Sequence, residues 1–160
     1  MNIPIGNLSI TSFCESNIEH IKFRKELAKD GFIYDFLSHT VEKDLIEIYD
    51  NDEIELGQTY LITEENKIIG YIYIGLINDK KGILELRYAV HPKFRRKGYG
   101  KQILEQCRDY LFTFEDVNSV ELDIRIDNDR SINCAEKAKY KCISLESDSY
   151  YVYRTYKGKC

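Results

Sequence analysis

No stretch of this chain approaches the roughly 20 apolar residues that a membrane-spanning helix requires, and Met1 to Ile10 lack the basic start and unbroken apolar run of a secretory leader. The sequence therefore predicts no membrane partner. Its five cysteines (Cys14, Cys107, Cys134, Cys142 and Cys160) are odd in number, widely spaced and without a C-x-x-C pair. That pattern predicts reduced thiols in a cytoplasmic protein and excludes a disulfide frame or a zinc site. The three histidines, His20, His39 and His91, are not at metal-ligand spacing either, so no metal is expected. Nor is there an excess of positive charge. Twenty-three basic residues against 27 acidic ones give a net charge of -4, which argues against a nucleic-acid partner but not against one small basic pocket. Repeats, low-complexity tracts and Pro/Gly/Ser-rich linkers are missing too, and no domain boundary is expected within residues 1–160.

What is present suits one folded domain: 43% apolar residues to fill a core and 31% charged residues to keep the surface wet. Leu8–Phe13 reads as a short strand. Asn17–Lys29 reads as a helix, with Ile18, Ile21 and Leu27 at near-helical spacing and Ser16 or Asn17 as its cap. Phe32–Asp50 reads as further helix. From Gln58 the pattern changes to strands: Thr59–Thr63 and Ile68–Leu76 flank a hairpin turn at Glu64–Lys67, and Ile83–Val90 follows a second turn at Asn78–Gly82. Gly98 to about Phe114 reads as a helix, Val120–Ile126 as a strand and Asp129–Lys139 as a helix. Cys142–Leu145 and Tyr150–Tyr156 form a closing hairpin. The order predicts an α+β fold, a mixed sheet with helices on both faces, in which Ile83–Ile126 is a parallel strand–helix–strand crossover.

The chemistry lies in Leu86–Lys101, LRYAVHPKFRRKGYGK: a strand, a turn, three consecutive cations, two glycines and a helix start. The first turn of a helix leaves backbone N–H groups without partners, and the helix dipole places partial positive charge there. Gly98 and Gly100 let backbone approach a ligand that a side chain would hold away, and Arg95, Arg96 and Lys97 add formal charge. Together these suit a phosphate-bearing ligand, most economically a pyrophosphate. A nucleotide P-loop would need a glycine five residues before Gly100 and Ser or Thr after Lys101, and has neither. A dinucleotide fingerprint would need glycine where Ile103 stands.

Arg95, Gly98 and Gly100 match the R/Q-x-x-G-x-G/A signature of the GNAT superfamily of N-acetyltransferases, and Tyr88–Pro92 resembles that family's "aVhP" segment. Leu122–Ser131 resembles the strand and Asn-x-x-Ser/Ala element that follows, through Asn128 and Ser131, and Glu136–Tyr140 is similar to its "EKxGF" with Lys139 in place of glycine. The resemblance spans Ile83–Tyr140. It implies direct transfer of an acetyl group from acetyl-CoA, as co-substrate, to an amine acceptor of unspecified identity, a small molecule or a protein amino group. It also implies that backbone near Ala89 and Val90 polarises the acetyl carbonyl, and that N–H groups of Arg96, Lys97, Gly98, Tyr99, Gly100 and Lys101 hold the pyrophosphate. Family members commonly pair through sheet edges, so a homodimer is compatible with the resemblance, although no residue argues for one.

An alkyl amine of pKa about 10.4 must lose a proton before it attacks. Strand alternation leaves Glu85, Arg87 and Ala89 on one face of Ile83–Val90, and Glu121, Asp123 and Arg125 on one face of Val120–Ile126. Asp123 or Glu85 is the candidate base, acting through water; cross-strand ion pairing is the competing account of these charges. A tyrosine that many family members carry as general acid falls at Ala135 here, leaving Tyr140, Tyr150 and Tyr151 as distant candidates or no acid at all. Ala135 and Lys139 keep open a second reading, a non-catalytic acyl-CoA-binding or regulatory module.

Overall fold

The structure is a computed structural model that describes residues 2–29, 47–48, 55–77 and 82–158. Its centre is a hairpin of β5 (Gln58–Glu64) and β6 (Lys67–Leu76). Glu65 and Asn66 turn the chain between them with φ of 48° and 66°, the doubly positive φ of the turn whose twist matches its flanking strands. Successive ladders build outward from it. With β1 (Asn2–Pro4), β2 (Ser9–Ser12), β7 (Ile83–Val90), β8 (Ser119–Arg125), β9 (Lys141–Ser147) and β10 (Tyr150–Tyr156), the sheet order is β1-β2-β5-β6-β7-β8-β10-β9. Every neighbouring pair is antiparallel except β7 and β8, which are parallel.

Two expectations need correcting. The three-residue β1 was not anticipated; it is too short to show a period and is held by its pairing with β2. The helix expected over 32–50 falls outside the described residues except at Glu47 and Ile48. Those two residues form β3 (Glu47–Ile48), paired antiparallel with β4 (Glu55–Leu56). Cross-strand pairing, invisible to a local pattern, decides their conformation.

Among the described residues three α-helices cover the sheet. α1 (Ile18–Ala28) starts at Asn17, whose side chain accepts from the N–H groups of Glu19 and His20 at 3.0 and 3.3 Å. α2 (Tyr99–Leu111) buries Ile103, Leu104, Cys107 and Leu111. α3 (Asp129–Lys137) is capped by Asn128, which accepts from Ser131 N–H at 3.2 Å. The core is split by the sheet. α2 and α3 pack with Leu84, Leu86, Val120, Leu122 and Ile124 on one side, while Phe23 and Leu27 of α1 meet Leu61, Tyr71 and Ala89 on the other. Among the described residues no helix is long and apolar enough to cross a membrane.

Lys139, which replaces the family's glycine, takes that glycine's conformation at φ 70°. Lys139 N–H bonds Glu136 O at 3.1 Å and Tyr140 N–H bonds Ala135 O at 2.9 Å, a paired closure of the helix end that favours glycine. Lys139→Gly is expected to raise stability by about 1 kcal/mol, read as a higher Tm with the α3 contacts intact.

The feature that positions the site is the short contact between β7 and β8. They register only at Ile83–Ser119, Leu84–Val120 and Glu85–Glu121. Beyond that point β6 holds β7 as far as Val90, and β10 holds β8 as far as Arg125. The two outer ladders thus keep the central strands apart. Arg154 of β10 anchors this side through Glu121: its Nε donates to Glu121 Oε2 at 2.7 Å, with the carboxylate 10% exposed. Arg154→Ala would strand that carboxylate, and a loss of about 3 kcal/mol in urea unfolding is expected.

Candidate active site

The loop leaving β7 is shaped by its own residues. His91 Nδ1 accepts from Lys93 N–H at 3.1 Å, and its Nε2 donates to Glu26 of α1 at 2.8 Å. The imidazole therefore serves as a cap and tether at the strand end. Pro92–Phe94 form one turn of 3-10 helix, and Arg95 Nε then donates to Val90 O at 3.2 Å, folding the loop back on its strand. Arg96 and Gly98 both have left-handed φ, 63° and 81°. Gly98 opens α2 with no capping side chain, whereas α1 and α3 each have one. Gln102 N–H is the first to reach back, to Gly98 O at 3.2 Å, so helix geometry leaves the N–H groups of Tyr99, Gly100 and Lys101 for another partner.

The two glycines are needed for reasons the sequence alone mis-assigns. At Gly98 the surrounding space is open and the positive φ is what demands glycine. At Gly100 an added Cβ would lie 2.7 Å from Cys134 Sγ. Its absence lets α2 approach α3, and ligand approach is a secondary consequence.

These elements enclose a cavity of about 410 Å³ at the splay, within the usual range for small-ligand sites. Of the residues expected to bind the coenzyme, Ala89, Val90, Arg95, Arg96, Gly98, Tyr99, Gly100, Lys101, Asn128 and Ser131 line it. Lys97 does not; its ammonium lies 5.8 Å above the Phe94 ring. Residues that the sequence reading missed complete the wall: Tyr88, Phe94, Arg130, Asn133, Cys134 and Lys137. Arg130, Asn133 and Lys137 recur at i, i+3 and i+7, one face of α3, and that periodicity was the available signal. Among the described residues, five cations (Arg95, Arg96, Lys101, Arg130 and Lys137) and no carboxylate line the cavity. Unpaired helix N–H groups beside an excess of positive charge suit a polyphosphate.

A profile of the acetyltransferase (GNAT) family matches residues 22–140. The chain belongs to the GNAT acetyltransferase family. No curated protein matches the sequence, but solved structures share the fold. N-acetyltransferase PseH of Campylobacter jejuni, solved in complex with acetyl coenzyme A, is 16% identical with a TM-score of 0.66, over 94% of this chain and 99% of its own. RimL, a ribosomal L7/L12 alpha-N-protein acetyltransferase, is 16% identical with a TM-score of 0.69, over 98% of each chain. A spermidine N-acetyltransferase SpeG chimera from Vibrio cholerae and hSSAT is 13% identical with a TM-score of 0.65, over 95% of this chain and 96% of its own.

In this GNAT chain the candidate bases lie on the face of the sheet opposite α2 and α3. No register shift interrupts β6 and β7, so the strand alternation holds through Val90. Glu85 is engaged: Arg87 Nε donates to its Oε1 at 2.9 Å, and the Arg87 guanidinium lies 5.1 Å over the Tyr73 ring. Asp123 has no ion pair or hydrogen bond with a described residue. Burial first, then the negative charges of Glu85, Glu146 and Glu121, push its carboxyl up to about 6, against the opposing pull of Arg87. Ion pairing thus accounts for Glu85 and Glu121 but not for Asp123. A gap of about 10 Å³ beside Asp123, Tyr88 and Ser131 joins the two faces where the strands part, about the room one water needs.

The tyrosines named from sequence do not reach the cavity. Tyr140 is buried and donates to Leu104 O at 3.2 Å, and Tyr151 packs edge-on against Tyr153. Tyr150 opens β10 opposite Arg125, at the splayed end of the sheet, but does not line the cavity. Ala135 has no exposed surface.

Proposed function

We propose that this chain is an N-acetyltransferase that moves the acetyl group of acetyl-CoA directly to an amine bound on the opposite side of the split sheet. The observation that carries the reading is the uncapped start of α2 facing a cavity that the described residues line with five cations and no carboxylate. The relative PseH was solved with acetyl coenzyme A, and the donors here fit the same ligand.

In this reading the N–H groups of residues 96–101, with Arg95, Arg96 and Lys101, bind the pyrophosphate. Arg130 and Lys137 neutralise further phosphate charge, while Lys97 contributes only its backbone. Asn128 and Ser131 orient the pantetheine arm. Ala89 and Val90 lie beyond the last β7–β8 pair; Ala89 backbone faces β6, and the Val90 N–H, turned to the side that β8 has left, polarises the acetyl carbonyl, an aimed donor of the kind that dominates acyl-transfer catalysis. Asp123 takes the proton of the incoming ammonium through the water-sized gap; its raised carboxyl is suited to that work near neutral pH. Glu85, held by Arg87, tunes Asp123 by its charge.

Two assays test this. Acetyl-CoA is expected to raise the Tm by several degrees, as any ligand specific for the folded state does, and acetyl-CoA with an amine panel is expected to release free thiol. Absence of any thermal shift with acetyl-CoA or CoA would overturn the reading. Ala135 favours the alternative, a coenzyme-binding module without turnover. A thermal shift with no thiol release from any amine would select that alternative.

A further inference from the structure

With residue 135 an alanine, the thiolate that leaves in acetyl transfer lacks an assigned proton donor. Among the described residues two tyrosines line the cavity, Tyr88 and Tyr99. Tyr99 is committed elsewhere, its hydroxyl donating to Glu64 Oε1 at 2.7 Å while Asn7 donates to the other oxygen of Glu64. Tyr88 is differently placed. It follows the last β7–β8 pair, Glu85–Glu121, by three residues and lines both the coenzyme cavity and the gap leading to Asp123. Its ring rests against Gly100, whose added Cβ would sit 3.6 Å from Tyr88 Cε2.

The hydroxyl is held but not locked. It donates to Ser131 Oγ at a long 3.3 Å, and Ser131 Oγ also accepts from Asn128 Nδ2 at 2.9 Å. A serine hydroxyl has two lone pairs and one proton. With both acceptor positions filled, Ser131 has its proton left for a ligand in the cavity. A sulfur atom at the splay would compete for the Tyr88 proton against the long bond to Ser131 and the Cys134 thiol beside it.

We propose that the Tyr88 hydroxyl gives its proton to the coenzyme A sulfur as the carbon–sulfur bond breaks. The inference rests on the acetyl-transfer reading above. The amine nitrogen bonds to the acetyl carbon, the electron pair of the broken bond passes to sulfur, and sulfur takes the proton from Tyr88 Oη. The phenolate recovers a proton from solvent through the cavity. The nitrogen sheds two protons, one to Asp123 before attack and one as the amide forms, and both pass out by way of Asp123; less the one that Tyr88 takes back, one proton is released per turnover. Burial raises the Tyr88 phenol above its ordinary value, which keeps it protonated throughout the working pH range. The same desolvation acts on a thiolate formed beside it and makes that thiolate a stronger base.

The test compares the full-length wild type and Tyr88→Phe, using acetyl-CoA and the best amine of the panel. Tyr88→Phe is expected to lower kcat about 10- to 100-fold, the low end for acid catalysis because a thiol is a tolerable leaving group. KM for acetyl-CoA is expected to stay within about twofold, with the CoA thermal shift intact, a split that a structural role for the ring would not produce. A second arm places difluorotyrosine at position 88, which keeps the ring's size and lowers the phenol pKa; a fall of kcat is expected at alkaline pH where the wild type, its phenol still protonated, shows none from this group. A kcat for Tyr88→Phe within twofold of wild type, or a difluorotyrosine profile at alkaline pH that matches wild type, overturns the proposal and leaves the acetyltransferase reading standing. A wild type that releases no thiol overturns both.

Discussion

Asp123→Asn is expected to lower turnover with an amine acceptor by about 10²- to 10³-fold and, at pH 8, to raise the Tm. Both effects come from one carboxyl. Burial first, then the charges of Glu85, Glu146 and Glu121, push Asp123 up to about 6; a base poised there can take a proton from an ammonium near neutral pH. The cost falls on the fold. A carboxyl whose folded value lies above its unfolded one binds its proton more tightly when folded, so it destabilises the protein once both states have lost the proton. The Tm gain of Asp123→Asn is therefore expected in full above pH 6, to shrink as pH falls from 6 toward 4, and to vanish below that. In wild type, kcat/KM is expected to rise with pH through about 6, well above an ordinary carboxylate at about 3.9, and this limb should be absent in Asp123→Asn. Stability and activity that both fall would identify Asp123 as a structural carboxylate.

Gly100→Ala is expected to weaken acetyl-CoA binding by about 10- to 100-fold, from an overpacking cost of 1–3 kcal/mol. Cys134 Sγ lies 2.7 Å from the site of the new Cβ. Because α3 is held by its Asn128 cap and by the closure at Lys139, the strain is expected to be relieved by shifting the start of α2, where the N–H groups proposed to bind phosphate sit. Cys134→Ala removes the obstructing atom, so Gly100→Ala/Cys134→Ala is expected to recover most of the lost affinity. Titration of the four proteins with acetyl-CoA measures the coupling. At Gly98 the obstacle is φ itself, with open space around it, so no neighbouring truncation is expected to rescue Gly98→Ala. Additive losses at 100 and 134 would refute the packing account.

Much of the fold was legible because its signals are short-range. Ile83–Val90 alternates cleanly and coincides with β7, and the aromatic-rich run Tyr150–Tyr156 coincides with β10. Asn17 and Asn128 announce their helices through side chains that cap within three residues. β1 and the Glu47–Ile48 pairing were not legible, since both depend on a partner strand rather than on their own sequence.

The site divides the same way. What the sequence alone determined is the loop of residues 91–101: its conformation follows from a proline, a left-handed glycine and an uncapped helix start, all contiguous, and with it came the class of ligand. Only the tertiary structure decided which distant side chains face that ligand. Tyr88 looked like one more apolar position on its strand, and Asp123 like one charge among several. What separates them from their neighbours is the point where β7 and β8 stop pairing, after Glu85 and Glu121. That point is set by the ladders to β6 and β10 on either side. Register between strands far apart in the chain is a collective property of the sheet, and no local pattern encodes it.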